Sequence, residues 1–203
     1  MIGFIGAHRV GKTTLAKDLA KEFDLEFLET NVSGFLKEQG VDPKENLDFQ
    51  ARLKIQDSVL EFLAGQYAAA TGIFIADRTP MDVAAYTLTD IQRATLGTIE
   101  ERSVVERHFQ RAVELTQLYF AQLIHVRPGI EIAETEGKAP SCLHYIRHFD
   151  YVAEGLVRAL PHSIRVHGIA KHVIDHDRRI AICIRVIEDA LDTIEAKASN
   201  TLH

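Results

Sequence analysis

Short apolar runs alternate along the chain with longer stretches in which apolar residues recur every three or four positions. The short runs are Ile2 to Ile5, Leu25 to Leu28, Ile73 to Ala76, Tyr119 to Val126 and Ser163 to Val166. Each has the length and apolarity of a strand buried on both faces, as in a parallel sheet. Helical periodicity covers Lys12 to Phe23, Leu47 to Ala70, Pro80 to Asp90, Ile99 to Leu118, His144 to Leu160 and Arg178 to Ala196. Strands and helices in alternation predict an α/β fold with a parallel sheet. The segment from Arg127 to Pro140 interrupts the pattern with Pro128-Gly129, Gly137 and Pro140 in a run of mixed charge. Irregular loops of that length inside a compact domain are more often functional than accidental, so residues 127 to about 147 are expected to form a lid.

The first strand leads into Gly6-Ala7-His8-Arg9-Val10-Gly11-Lys12-Thr13, a GxxxxGK[ST] motif, and an amphipathic helix follows at once. Glycines let successive backbone N–H groups turn towards a phosphate, and the helix N-terminus adds its positive end. Residues Gly6, Ala7, His8, Arg9, Val10, Gly11, Lys12, Thr13 and Thr14 are therefore expected to cradle the phosphates of a purine nucleoside triphosphate. Lys12 should reach the β- and γ-phosphates, and the Thr13 hydroxyl should ligate Mg²⁺. His8 and Arg9 occupy the variable interior of the loop, where the motif assigns no role.

A second chemical signal ends the third strand, in Ile73-Phe74-Ile75-Ala76-Asp77-Arg78. Carboxyl ends of parallel strands line the ligand crevice, so Asp77 and Arg78 should emerge beside the phosphate loop. Asp77 can hold Mg²⁺ or accept a proton, and Arg78 can clamp a phosphate with two parallel hydrogen bonds. Thr79-Pro80-Met81-Asp82 has the form of a capping box with proline at the first helical position, which accounts for Asp82 structurally.

Candidates for the acceptor site are weaker. In the helix from Leu47 the stripe Phe49, Leu53, Leu60, Leu63, Tyr67 is interrupted by Gln56, with Arg52 one turn earlier. An amide can read the edge of a base and a guanidinium can bind phosphate, so both are expected at substrate. Thr30 and Ser33 follow the second strand at the same edge of the sheet and are expected there too, although that segment could equally be a helix N-cap. Among the lid cations Arg127, Lys138 and Arg147, Arg147 is the first choice to neutralise a transferring phosphoryl group. His144/His148 and His172/His176 have i, i+4 spacing, but no accompanying motif supports a zinc site.

Length and composition narrow the class. A chain of 203 residues, 46% hydrophobic and 26% charged, is expected to be one soluble domain spanning residues 1–203. No apolar run reaches membrane-spanning length, and a net charge of −6 argues against nucleic acid as a partner. Cys142 and Cys183 form no CxxC pair, which fits free thiols in the cytoplasm.

GAHRVGKTTLA and IADRTPMDVAAYTL together resemble small P-loop kinases of the nucleoside and nucleotide kinase group. The likeness is strongest to phage-type deoxynucleoside monophosphate kinases and the ribosylnicotinamide kinase domain. It implies a P-loop three-layer sandwich: a five-stranded parallel sheet in the order 2-3-1-4-5, helices on both faces, and a lid after the fourth strand. It further implies ATP and Mg²⁺ as cofactors, a small nucleotide or nucleoside as partner, and residues 168 to 178 near the adenine. A phage-encoded protein acting in a host cytoplasm, and a homodimer, are compatible with the resemblance. The expected reaction is transfer of the γ-phosphoryl group of ATP to a nucleoside monophosphate, a deoxynucleotide, with Lys12, Asp77, Arg78 and Arg147 catalytic. Alternatives are a nucleoside kinase, in which Asp77 takes a hydroxyl proton, and an ATPase switch without a small acceptor. The lid lacks a clear paired-arginine pattern.

Overall fold

The computed structural model describes residues 1–41, 47–91, 98–130 and 142–201, with the side chains of 197–201 excepted. Five strands, β1 (Ile2–Ile5), β2 (Glu26–Leu28), β3 (Phe74–Ala76), β4 (Gln122–Val126) and β5 (Arg165–Ile169), form one sheet in the order β2-β3-β1-β4-β5. All four neighbouring pairs are parallel. The helices are α1 (Lys12–Glu22), α2 (Val32–Glu38), α3 (Phe49–Ala69), α4 (Pro80–Ile91), α5 (Ile99–Tyr119), α6 (Leu143–Arg158) and α7 (His176–Thr201). They cover the sheet on both faces: α1 lies against α7, while α4 lies against α3, α5 and α6.

Every residue of the three inner strands β1, β3 and β4 is buried, whereas β2 and β5 at the edges are partly exposed. The expectation of strands buried on both faces therefore applies to the middle of the sheet only. Two boundaries move for the same reason. Helix α5 runs through Tyr119 and is capped by Phe120, because both rings pack on Tyr67, at centroid distances of 5.4 and 5.1 Å. Strand β5 starts at Arg165, later than expected, since its register places Val126 opposite Ile169 and makes Ile169 the fully buried end of the strand.

Helix α2 is an addition to the expected elements. Asn31, at φ 35°, caps it by accepting the N–H of Gly34 at 3.2 Å. In the segment read as lining the crevice or capping a helix, Asn31 is the cap and Thr30 turns inward.

Between α3, α4 and α5 lies a buried polar chain. Asp57 Oδ1 meets His108 Nδ1 at 2.5 Å, and His108 Nε2 meets the Thr87 hydroxyl at 2.9 Å. His108 and Thr87 are almost wholly buried. Such a chain specifies how three helices register, because a slip would leave buried polar atoms without partners.

Candidate phosphate and acceptor site

The phosphate loop is shaped by its two glycines. Gly6 has φ 153° and Gly11 has φ 90°, conformations that a side chain makes costly. A Cβ at Gly6 would also run into the carbonyl oxygen of Val126, so this residue allows the loop to pass directly over the end of β4. Gly11 then caps α1, and no side chain stands over the helix N-terminus at that position.

Lys12 is buried, and its ammonium donates to the carbonyls of Gly6 at 2.5 Å and Ala7 at 2.9 Å. Burial pushes its pKa down from 10.5 to about 8, against the opposing pull of Asp82 at 3.9 Å. The lysine thus lies across its own loop, at the place where the motif puts the β- and γ-phosphates. Burial, with the nearby charges of Lys12, Arg9 and Arg78, also lowers the pKa of His8. Its ring stands 6.0 Å from that of Tyr145 on α6, and its Nε2 is buried without a hydrogen-bond partner among the described residues. Arg9, at φ 62°, is half-buried at the loop's turn, and Thr14 is exposed on the first turn of α1.

Thr13 and Asp77, 64 positions apart, meet: the Thr13 hydroxyl donates to Asp77 Oδ2 at 2.7 Å. The other carboxylate oxygen accepts from the backbone N–H and the hydroxyl of Thr30, at 3.3 and 3.0 Å. Register produces this contact, since β2 and β3 end side by side with Leu28 opposite Ala76. A hydroxyl and a carboxylate at the end of the P-loop form the oxygen donor pair that Mg²⁺ takes together with substrate phosphates. Among the described residues no cluster of three or more His, Cys, Asp or Glu is poised for a metal.

Arg78 is held from two sides. Its carbonyl accepts the Tyr67 hydroxyl at 2.8 Å, and its guanidinium lies 5.6 Å from the centre of the Tyr86 ring. Burial alone would lower its pKa, but Tyr86, Asp82 and Asp77 more than reverse this and raise it.

Other sequence candidates land differently. Thr30, expected at substrate, is buried and gives its hydroxyl to Asp77, so it supports that carboxylate. Ser33 is exposed in α2. Arg52 donates to the Leu47 carbonyl at 3.2 Å and lies 3.9 Å from Asp90, and Gln56 is half-buried one turn on. These contacts tie Arg52, expected at substrate, to the end of α4. Arg127 grips Asp150 with two nitrogens, at 3.3 and 2.9 Å, and also pairs with Glu154. It therefore braces the base of the expected lid. Lys138 and most of the lid lie outside the described residues. Arg147 is exposed on α6 and, with Pro128, Gly129, Ile130, Leu143 and Lys171, lines a cleft of about 210 Å³. His172 precedes α7 and His176 binds Asp18 of α1 at 2.9 Å, so these two histidines do not share a helix.

Four contributors escaped sequence reasoning. Asp82 was accounted for as a cap, and it does accept from Thr79 N and Oγ1, at 2.8 and 3.0 Å. Its other oxygen also takes the N–H of Gly6 at 3.1 Å. Asp150 has no exposed side-chain surface and is bound by Arg127, by Lys171 at 2.8 Å and by His125 at 3.4 Å. Burial would raise its pKa, but these neighbours hold it well below the usual carboxylate range. Arg179 links α7 to the phosphate loop. Glu29 is an exposed carboxylate directly after the end of β2, and strand position was the one signal that could have marked it.

Comparison with known proteins agrees with the fold. A search of curated proteins finds no significant match. The fold is similar to solved structures of deoxyadenosine kinase from M. mycoides: with bound dATP, TM-score 0.65 at 14% identity over 92% of this chain and 98% of that one; with bound dCTP, TM-score 0.63 at 15% identity over 93% and 98%. The YorR protein of Bacillus subtilis in complex with phosphorylated GDP matches with TM-score 0.54 at 12% identity, over 92% of this chain and 95% of that one. At such identities the likeness is one of fold. The model of the AAA domain family matches residues 1–175, which takes in the phosphate loop, the Asp77-Arg78 strand end and all five strands, and the chain belongs to that family.

Proposed function

We propose that the protein is a kinase that transfers the γ-phosphoryl group of ATP to a nucleoside monophosphate, a deoxynucleotide being the preferred acceptor. The observation that carries this is the junction of Thr13 with Asp77 beside Lys12 and Arg78: a candidate triphosphate cradle, an Mg²⁺ donor pair and a guanidinium seated on Tyr86 at one end of the sheet. In the transfer an acceptor phosphate oxygen forms a bond to the γ-phosphorus as the bond to the β–γ bridging oxygen breaks, leaving ADP. Lys12 and Arg78 would hold the charge that spreads over the γ-oxygens, the largest single contribution a site of this kind makes. Mg²⁺, held at Thr13 and Asp77, would neutralise the β- and γ-phosphates. The base of ATP fits the cleft between Ile130 and Lys171, which adjoins the loop at Gly11.

A specific observation favours a second reading, a nucleoside acceptor. Asp77 is engaged by three hydrogen bonds and is poorly placed to take a hydroxyl proton, but the exposed Glu29 stands at the neighbouring strand end. A nucleoside 5′-hydroxyl would need such a base, whereas a phosphate acceptor would not. The deoxyadenosine kinase of similar fold also supports this alternative.

Product analysis with Mg²⁺-ATP and a panel of nucleosides and monophosphates tests both. Formation of nucleoside diphosphates supports the first reading. Turnover confined to nucleosides, with Glu29→Gln lowering kcat by about 10²-fold or more, would replace it with the second. Steady ATP hydrolysis indifferent to every acceptor would sink both.

A further inference from the structure

Arg179 is only 2% exposed, yet it carries a guanidinium. Its Nε donates to the Val173 carbonyl at 2.6 Å and its Nη1 to the Val10 carbonyl at 3.0 Å. One planar fork thus joins the loop after β5 to the phosphate loop. Nη2 is buried and has no hydrogen-bond partner among the described residues. A Cβ at Gly11, the residue that caps α1, would sit 3.6 Å from Nη1 and 3.7 Å from the Ile130 side chain. Arg179 and the Ile130 side chain thus both adjoin the phosphate loop at Gly11.

Its charge is not neutralised locally. Both acceptors are neutral carbonyls, and among the described residues no carboxylate forms an ion pair with it. Cys183, the ionisable group one turn along α7, is buried and its thiol is pushed up to about 12, so it stays neutral. The Asp175 carboxylate is engaged in capping α7, accepting from Arg178 N at 2.8 Å. Burying an unpaired cation is costly, and a buried charge is usually paired. A polyanion bound in the phosphate loop would lie next to it and supply the missing counter-charge.

We infer that Arg179 is a positioning residue for the donor nucleotide: it fixes the phosphate loop to the donor-base cleft, and its uncompensated charge is satisfied by the bound triphosphate. This rests on the reading of Gly6 to Thr13 as a triphosphate site. Arg179 belongs to α7, outside the segment read as the triphosphate loop.

The experiment compares wild type, Arg179→Met and Arg179→Lys by calorimetric titration with Mg²⁺-ATP and with inorganic tripolyphosphate, and by KM for the acceptor. Arg179→Met should weaken both polyanions by about tenfold or more, as expected of one unit charge within about 12 Å at an effective dielectric of about 20. Acceptor KM should stay within about twofold, and Arg179→Lys, which keeps the charge, should recover most of the polyanion affinity. If Arg179→Met does not fold, Arg179→Gln takes its place: a tripolyphosphate affinity weakened by about tenfold or more, largely recovered in Arg179→Lys, is expected, and wild-type affinity in Arg179→Gln overturns the role of the charge. Equal polyanion affinity in all three proteins, or a parallel loss of donor and acceptor, also overturns it. A wild type that binds neither polyanion would refute the triphosphate site itself, a result distinguishable from these.

Discussion

Asp82 accepts the backbone N–H of Gly6 across 76 positions of sequence. The same carboxylate takes the backbone N–H and the hydroxyl of Thr79, so one buried acid ties the first residue of the phosphate loop to the start of α4. Asp82→Asn puts an amide donor against one of those donors. It should cost roughly 2–4 kcal/mol of stability and weaken Mg²⁺-ATP as the loop loosens. Urea unfolding beside a nucleotide titration checks this; unchanged stability would show that the anchor is dispensable.

Lys12 makes donor binding pH-dependent near neutrality. In the folded protein it loses its proton as pH rises through about 8, and in the unfolded chain only near 10.5. Between those values the unfolded chain holds more protons, so this group makes stability rise with pH. Affinity runs the other way, because the anion prefers the charged lysine. The Kd for Mg²⁺-ATP should increase above pH 8, by up to about tenfold per pH unit. Bound phosphates, by favouring the proton, shift the onset upward in the complex. Lys12→Arg, which does not titrate there, should show a flat profile over pH 7 to 9.5, and a flat wild-type profile would contradict the assignment.

Asp77→Asn should raise the Mg²⁺ concentration for half-maximal activity by about tenfold, with little change in stability at saturating nucleotide. The Thr13 hydroxyl keeps an acceptor in the amide oxygen, so the effect should fall on the metal and not on the loop. Activity titrated against Mg²⁺ at fixed ATP measures this.

Arg78→Lys keeps a positive charge but loses the planar fork and its place on Tyr86. Expected is a fall in kcat of about 10²-fold with donor KM changed less than about threefold. A change confined to KM would mean that Arg78 serves ground-state binding.

Asp150 joins β4, α6 and the loop after β5 through Arg127, Lys171 and His125. Its lowered pKa means that the stabilisation is fully present above the ordinary carboxylate range and is lost as pH falls through the folded value. Asp150→Ala should therefore cost about 3 kcal/mol at pH 7. The gap from wild type should narrow below about pH 4. Chemical denaturation at pH 7 and at pH 3.5 tests both statements.

Local pattern was enough for the elements and the loop. GxxxxGK[ST] carries its own strand and helix, and its glycines are required by backbone geometry that no partner has to supply. Asp77-Arg78 was legible for a similar reason: in a parallel sheet the end of a buried strand is also the edge of the crevice. The contacts that complete the site could not be read, because they depend on which strands are neighbours and in what register. The hydrogen bond of Thr30 to Asp77 follows from the register that sets Leu28 opposite Ala76. Asp82 looked like a cap, and it is one, but folding also places Gly6 above it. Arg179 had no local signal at all. An arginine in the first turn of a helix is usually solvated, and only the crossing of α7 over α1 buries it behind the phosphate loop. Sequence by itself determined where phosphate-binding chemistry resides; tertiary structure decided which side chains hold it in place, because burial and register act between residues that the chain keeps far apart.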